Sequence, residues 1–160
     1  MRVTIYAVGR LKAGPERELA ARYVDRFSKT GAAQGLSFTR IIELPESRAS
    51  NAATRKREEY AALQKQLPAD SIVVALDERG RTPDSNEFAG MLGKWCDAGR
   101  RDLAITIGGA DGHDPQLLEQ ADVVISFGKM TWPNQIVRIL LAEQLYRAST
   151  ILAGHPYHRN

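Results

Sequence analysis

Apolar and polar positions switch repeatedly between a period of two and a period near 3.6 along this chain. Arg2–Val8 (RVTIYAV), a run of β-branched and aromatic residues, predicts a strand. Gly14-Pro15 then opens a helix. Pro15 suits the first helical position, Glu16 and Glu18 suit the positive end of the dipole, and Leu19, Ala20, Tyr23, Val24 and Phe27 form an apolar stripe. Leu36–Leu44 (LSFTRIIEL) predicts a second strand, stopped by Pro45. The polar connection ESRASNAAT leads to a helix ending at Leu67 before Pro68, with Tyr60, Leu63 and Leu67 on one face. Ser71–Leu76 (SIVVAL) is apolar without interruption, as in a strand covered on both faces. DERGRTPDSNE reads as a loop in which Asp84 or Ser85 caps the next helix. There Phe88, Met91, Leu92 and Trp95 recur at helical spacing before Gly99. A strand at Leu103–Ile107, a helix from Asp114-Pro115, a strand at Val123–Phe127 and a long helix after Pro133 complete the series.

Five alternations of strand and helix predict one α/β domain over residues 1–160. Its sheet is mostly parallel, with five to six strands and helices on both faces. The last helix is apolar nearly all round, from Ile136 and Val137 through Leu140, Leu141 and Leu145 to Ile151 and Leu152. Such a helix is covered on more than one side. In so short a chain a second copy can supply the other cover, which predicts a homodimer; the sheet wrapping it within one chain is the alternative.

Composition changes this picture little. A hydrophobic content of 43% and a charged content of 26% are ordinary for a globular protein. No apolar run approaches the roughly 20 residues that span a bilayer, and the N-terminus lacks the pattern of a signal peptide. Cys96 is the single cysteine, so no intrachain disulfide forms and a reducing cytoplasm is the expected compartment. Charge is uneven: residues 1–67 hold 13 Lys and Arg against 7 Asp and Glu, and the remainder 9 against 12. The basic half suits a polyanion, although solvated helix faces account for the same bias.

Ligands of parallel sheets bind beyond the carboxyl ends of the strands. Ile107–Gly112 (IGGADG) stands at such an end, yet it lacks both the GxGxxG spacing and the lysine of a phosphate loop. Glycine there either admits a flat ligand to the backbone or simply makes a turn. Two further strand exits, Leu76-Asp77 and Phe127-Gly128-Lys129, can join it in one crevice. No metal site is expected, because His113 stands alone and His155 and His158 lie in a tail without nearby cysteine. Spacing nominates no Ser-His-Asp or Cys-His arrangement, and Cys96 beside Trp95 reads as a packing residue. Arg55, Lys56 and Arg57 crowd the positive end of their helix, as phosphate contacts or as plain exposed charge. The tail HPYHR is either a frayed terminus or an aromatic, basic arm that stacks on a base.

The motifs VTIYAVGRLK, VVALDERG, ITIGGADG, SFGKMTWPNQIVRILLAEQLYRA and the terminal HPYHR, in this order, resemble the ribosomal RNA large-subunit methyltransferase H family of SPOUT enzymes. The resemblance covers essentially the whole chain. It implies an α/β knot, in which the C-terminal segment threads a loop into a trefoil and S-adenosylmethionine binds in the knot at a dimer interface. It further implies methylation of N3 of a pseudouridine in 23S rRNA on the assembled ribosome. Carried over by motif, the cofactor-binding residues are Leu76, Gly108, Phe127, Gly128, Lys129, Met130, Thr131 and Trp132. Arg138, one turn past that loop, and His158 are the catalytic candidates. His155, Tyr157 and Arg159 are the substrate-binding ones. One residue departs from the pattern: Asn134 stands where the family commonly has histidine, so acid–base chemistry does not carry over there, while an amide can still orient a substrate. Two alternatives stay open, a non-catalytic RNA- or ribosome-binding knot module and a SPOUT methyltransferase for another RNA position.

Overall fold

The computed structural model describes residues 1–159. Five strands form one sheet: β1 (Arg2–Val8), β2 (Ser37–Leu44), β3 (Ile72–Arg81), β4 (Asp102–Ile107) and β5 (Val123–Ile125). Their order is β2-β1-β4-β3-β5 and every pairing is parallel. The helices between and after them are α1 (Pro15–Gly31), α2 (Ala52–Gln64), α3 (Ser85–Asp97), α4 (Pro115–Gln120) and α5 (Asn134–Leu152), and a 3₁₀ turn at Ala32–Gln34 follows α1.

Successive side chains of a strand point to opposite faces, and here each face has its own helices. Val3, Ile5 and Ala7 of β1 pack with Phe27 of α1, Phe88 and Leu92 of α3, and Leu141 and Leu145 of α5. Tyr6 and Val8 pack on the other side with Tyr60 and Leu63 of α2 and Leu117 of α4. The two groups correspond to direction of travel. Connections that step toward β2 (α1 and α3) use one face, and those that step toward β5 (α2 and α4) use the other, as a single crossover hand requires. The chain therefore leaves β1 and its neighbour β4 in opposite directions, which opens a crevice at their carboxyl ends.

Two irregularities shape what lies over that crevice. A register shift where Val3 and Thr4 pair with Phe38 and Arg40 inserts one extra residue into β2. Phe38 thus packs in the α1/α3/α5 core, Ile42 and Leu44 pack against the opposite one, and Glu43 turns toward α5. The second irregularity corrects the sequence-based boundary of the third strand. Residues after Leu76 were expected to form a loop, yet β3 returns to the sheet at Arg81, which pairs with Ile125. Gly80 makes the return possible, because a Cβ there would lie 2.6 Å from the Ile125 carbonyl carbon. The fifth strand is correspondingly shorter than Val123–Phe127: Ser126 donates its N–H to Arg81 O at 2.8 Å and the chain turns away.

α3 is capped as the sequence suggested, with Asp84 accepting from Glu87 N and Glu87 reaching back to Asp84 N, both at 2.8 Å. α5 is wrapped largely within the chain. It buries Leu141, Leu145 and Ala148 between α1 and α3, and Ser149 Oγ meets Thr30 Oγ1 at 2.5 Å. Ile136, Ile139, Leu140 and Glu143 remain half-exposed along its outer edge, spaced as one helical stripe. Among the described residues no helix is long and apolar enough to cross a membrane.

Leu145, fully buried where α5 meets the sheet, reports whether that helix carries the core. Leu145→Ala is expected to lower the unfolding free energy by about 2–5 kcal/mol. Urea denaturation should show a lower midpoint at an unchanged slope; an unshifted midpoint would remove α5 from the core.

Candidate functional site at the carboxyl ends of the strands

A cavity of about 600 Å³ lies over the crevice. Its walls are the exits of β1 (Val8 to Leu11), β3 (Leu76 to Arg79) and β4 (Ile107 to Gly112), the β5–α5 loop and the first turn of α5. Six of the eight residues expected to bind the cofactor line it: Leu76, Gly108, Phe127, Met130, Thr131 and Trp132. Gly128 lines an adjoining, more apolar cavity of about 380 Å³ that shares Leu76 and Phe127 with the first. Lys129 is exposed and lines neither. Met130 and Trp132, 73% and 41% exposed, present apolar surface to solvent at the mouth.

The glycine loop after β4 turns out to be shaped by its own closure. Gly112 N donates to Gly109 O at 3.0 Å, and a Cβ on Gly108 would sit 2.8 Å from the Gly112 carbonyl carbon. Glycine is needed here for the turn, whatever ligand lies outside it. Three side chains then fix the loop to the body. Arg55 of α2 grips Asp111 with two hydrogen bonds, at 2.7 and 3.0 Å, and donates to Ala49 O at 2.9 Å. The cation that looked misplaced at a helix start is thus the tether of this loop. His113, expected to be a lone loop residue, is buried with Nε2 3.2 Å from Thr106 O and 3.3 Å from Thr106 Oγ1. Asn134, at the start of α5, donates from Nδ2 to Gly108 O at 2.6 Å.

Arg138 lies one turn further along α5 and is only 4% exposed. It donates from Nε to Asn134 Oδ1 at 2.9 Å, from Nη1 to Glu43 Oε1 at 2.7 Å, and from Nη2 to Gly9 O at 2.7 Å and Val8 O at 3.3 Å. One guanidinium thereby joins α5 to the ends of β1 and β2. The tail lies elsewhere. Tyr157 stacks 4.7 Å from Tyr146, its ring lies under Arg147 at 4.9 Å, and its hydroxyl donates to Glu143 Oε1 at 3.1 Å. Burial, with the Glu143 carboxylate and Tyr23 beside it, pushes the Tyr157 phenol up to about 12. Arg147 Nη1 donates to His158 Nδ1 at 3.3 Å, while His158 Nε2 is buried without a partner among the described residues. His155, Tyr157, His158 and Arg159 do not line the cavity, so one chain does not bring the tail and Arg138 together.

Charged groups of both signs line the cavity, Glu46, Asp77, Glu78 and Asp111 with Arg10, Arg79 and Arg138. Burial raises the Asp77 carboxyl, but hydrogen bonds and charge from Arg79 outweigh it and hold the group below the usual range. The Arg55 hydrogen bonds hold Asp111 low as well. Glu59, behind the loop, is pushed up by burial despite a hydrogen bond from Ser47 N at 3.0 Å. Burial raises the Cys96 thiol too, which suits a packing residue better than a nucleophile. Among the described residues no group of three His, Cys, Asp or Glu could hold a metal ion. Sequence reasoning missed the exit of β1 and Glu43 as functional neighbours, whereas the Leu76-Asp77 exit lines the cavity as expected. Val8-Gly9 carried the same strand-to-glycine signal as the other exits, whereas Glu43 and Arg138, 95 residues apart, carried none.

The cavity suits a ligand with an apolar, flat part and a polar part, because Leu76, Ile107, Ile125 and Phe127 line it beside charged groups of both signs. It offers no lysine-bearing phosphate cradle. The family model described as "Predicted SPOUT methyltransferase" matches residues 1–158. A protein of Allorhizobium ampelinum named ribosomal RNA large subunit methyltransferase H is 64% identical over 160 residues, covering 100% of both chains. One of the same name from Sinorhizobium fredii is 64% identical over 159 residues and 99% of both. Among solved structures, a probable methylase family protein from Haemophilus influenzae superposes with a TM-score of 0.53 at 12% identity, covering 99% of this chain and 70% of that one, and so shares the fold.

His113 gives the glycine loop a titratable tie. Burial lowers its pKa, against the opposing effects of the Thr106 carbonyl and Asp77. The unfolded chain takes up a proton near pH ~6.5 that the native chain refuses. Its contribution is therefore fully present above that value and is lost as pH falls through the lower native one. Glu59, shifted up, works in the opposite sense. Urea unfolding at a series of pH values should show stability falling below neutrality, with a shallower fall in His113→Gln; equal slopes would place the proton elsewhere.

Proposed function

The chain belongs to the SPOUT methyltransferase family, and from that premise we propose that it is an S-adenosylmethionine-dependent methyltransferase of 23S rRNA that methylates N3 of a pseudouridine on the assembled ribosome. The observation that carries this is the convergence of Leu76, Gly108 and Phe127 to Trp132 around one apolar, carboxylate-edged crevice, in a chain 64% identical along its whole length to a methyltransferase H.

Bound S-adenosylmethionine supplies an electrophilic methyl group on a positively charged sulfur. The residues of the chain supply placement. The apolar walls at Leu76, Ile125 and Phe127 take the adenosine, beside the ion-paired carboxylates of Asp77 and Asp111. Methyl transfer is an in-line displacement, so alignment supplies much of the rate. Bound in this cavity, the cofactor would supply the methyl group that N3 takes up in place of its imide proton, and Glu46, Asp77 and Glu78 of the lining are the carboxylates toward which that proton would leave. Arg138 spends its donors inside the protein. Its part in catalysis is to hold the first turn of α5, and hence Trp132 and Thr131, at the cavity.

A homodimer completes the picture. The half-exposed stripe Ile136, Ile139, Leu140 and Glu143 of α5 starts at the cavity and runs to the tail, which is anchored on Glu143 and Arg147 of the same helix. A second copy on that stripe covers the remaining apolar side of α5. It sets His155, Tyr157, His158 and Arg159 at the rim of the interface, where rRNA arrives. The C-terminal segment forms the trefoil knot of the family, which the return of β3 to Ile125 over the β5–α5 connection suits. The protein acts in the cytoplasm, where ribosomes are.

Two measurements check this. Titration calorimetry with S-adenosylmethionine should show binding, and purified protein should restore the N3-methyl mark, read by mass spectrometry, to ribosomes from a deletion strain. Binding without methylation would favour an RNA-binding module, and a mark at another nucleotide a different RNA position. Sedimentation at micromolar concentration should give a dimer. A clean monomer would sink that part.

A further inference from the structure

Asn134 occupies the one point where the cofactor loop, α5 and the buried guanidinium meet. Its Nδ2 donates to Gly108 O at 2.6 Å and its Oδ1 accepts from Arg138 Nε at 2.9 Å. The orientation of the amide is forced by chemistry: a guanidinium only donates and a carbonyl only accepts, so the oxygen must face Arg138 and the nitrogen Gly108. The position demands a donor and an acceptor at once. Asparagine meets that demand without titrating. A carboxylate offers Gly108 O no proton, and an imidazolium offers Arg138 no lone pair. A neutral imidazole, with one nitrogen of each kind, fits as long as it stays unprotonated, whereas a carboxyl fits only when protonated.

We propose that Asn134 is a positioning residue for the methyl-transfer site, a non-titrating joint that holds the Gly108 loop at a fixed distance from Arg138 and so supports cofactor affinity without a proton of its own. It does not contact the transferred group as an acid or base, because both ends of its amide are engaged within the protein. The inference rests on the cavity being the S-adenosylmethionine site. It adds that the site is preorganised through a chain of hydrogen bonds from Gly108 O through Asn134 and Arg138 to Glu43 and to the carbonyls of Val8 and Gly9. Through it the ends of β4, β1 and β2 move as one body.

The test replaces the joint by groups that titrate. Several charges share this surroundings: Arg138 on the same helix, Glu43 in β2 and Glu46 after it, Arg10 after β1, Asp77, Glu78 and Arg79 in β3, Asp111 in the glycine loop, and Glu59 and His113 behind it. All are common to wild type and variants, so the ratio of affinities cancels their titration. S-adenosylmethionine affinity by calorimetry should be close to wild type for Asn134→His near pH ~8, where imidazole is neutral, and about tenfold weaker than wild type near pH ~5. Asn134→Asp should bind about tenfold or more weakly at both values. Thermal midpoints are measured alongside. A merely structural role would lower the midpoint of Asn134→His at low pH while the affinity ratio stayed flat, and that result, or wild-type affinity in Asn134→Asp, overturns the proposal. If wild type itself fails to bind S-adenosylmethionine, the cofactor reading falls and the positioning role with it. The pH-dependent difference in midpoint still shows separately whether the joint exists.

Discussion

A guanidinium buried at the carboxyl end of a parallel sheet has to be given partners, since leaving such a charge unpaired costs about 3–5 kcal/mol. Arg138 finds them on three separate elements: Glu43 of β2, the carbonyls at the end of β1, and Asn134 of its own helix. The need to satisfy this one side chain decides where the N-terminus of α5 stands. The β5–α5 loop must then pass over the crevice with Phe127 facing in and Met130 and Trp132 at the mouth. The one-residue bulge in β2 is part of the same arrangement, because without it Glu43 would face α2 instead of α5.

The glycine loop after β4 shows how a run of glycines is kept in one shape. Gly108–Gly112 closes on itself through a backbone hydrogen bond, and Arg55, His113 and Asn134 hold it from α2, β4 and α5. Each tie is modest, about 1 kcal/mol for a neutral hydrogen bond and about twice that where charge takes part. Together they hold the loop before any ligand arrives, so binding does not have to supply the ordering. The negative charge around the cavity has a similar origin. Asp77 and Asp111 are stabilised as anions by Arg79 and Arg55, and Arg55 also ties the glycine loop to α2.

Much of this architecture was legible along the chain. Strand and helix periods appeared in the right order, Asp84 was recognisable as a cap, and the apolar run of α5 announced a helix covered on more than one side. These are local matters: a period of two or 3.6 and a cap within three residues are written in neighbouring positions. The strand exits at Leu76, Gly108 and Phe127 were legible too, because a parallel sheet sends every carboxyl end to the same edge. The boundaries of β3 and β5 were not. Arg81 rejoins the sheet because a glycine one residue earlier lets the backbone press against Ile125, which lies 45 positions along the chain.

By itself, then, the sequence determined the order of elements, the two-faced sheet, the family and the loops that gather at its carboxyl edge. Tertiary structure decided the roles of the side chains. Arg138 read as a catalytic candidate and is held as a clamp, Arg55 read as a phosphate contact or plain exposed charge and tethers Asp111, and Asn134 read as an amide able to orient a substrate and is bonded at both ends within the protein. The reason is physical: a polar side chain takes its role from the partners it meets after folding. Those partners stand on strands and helices tens of residues away, at distances no local period records.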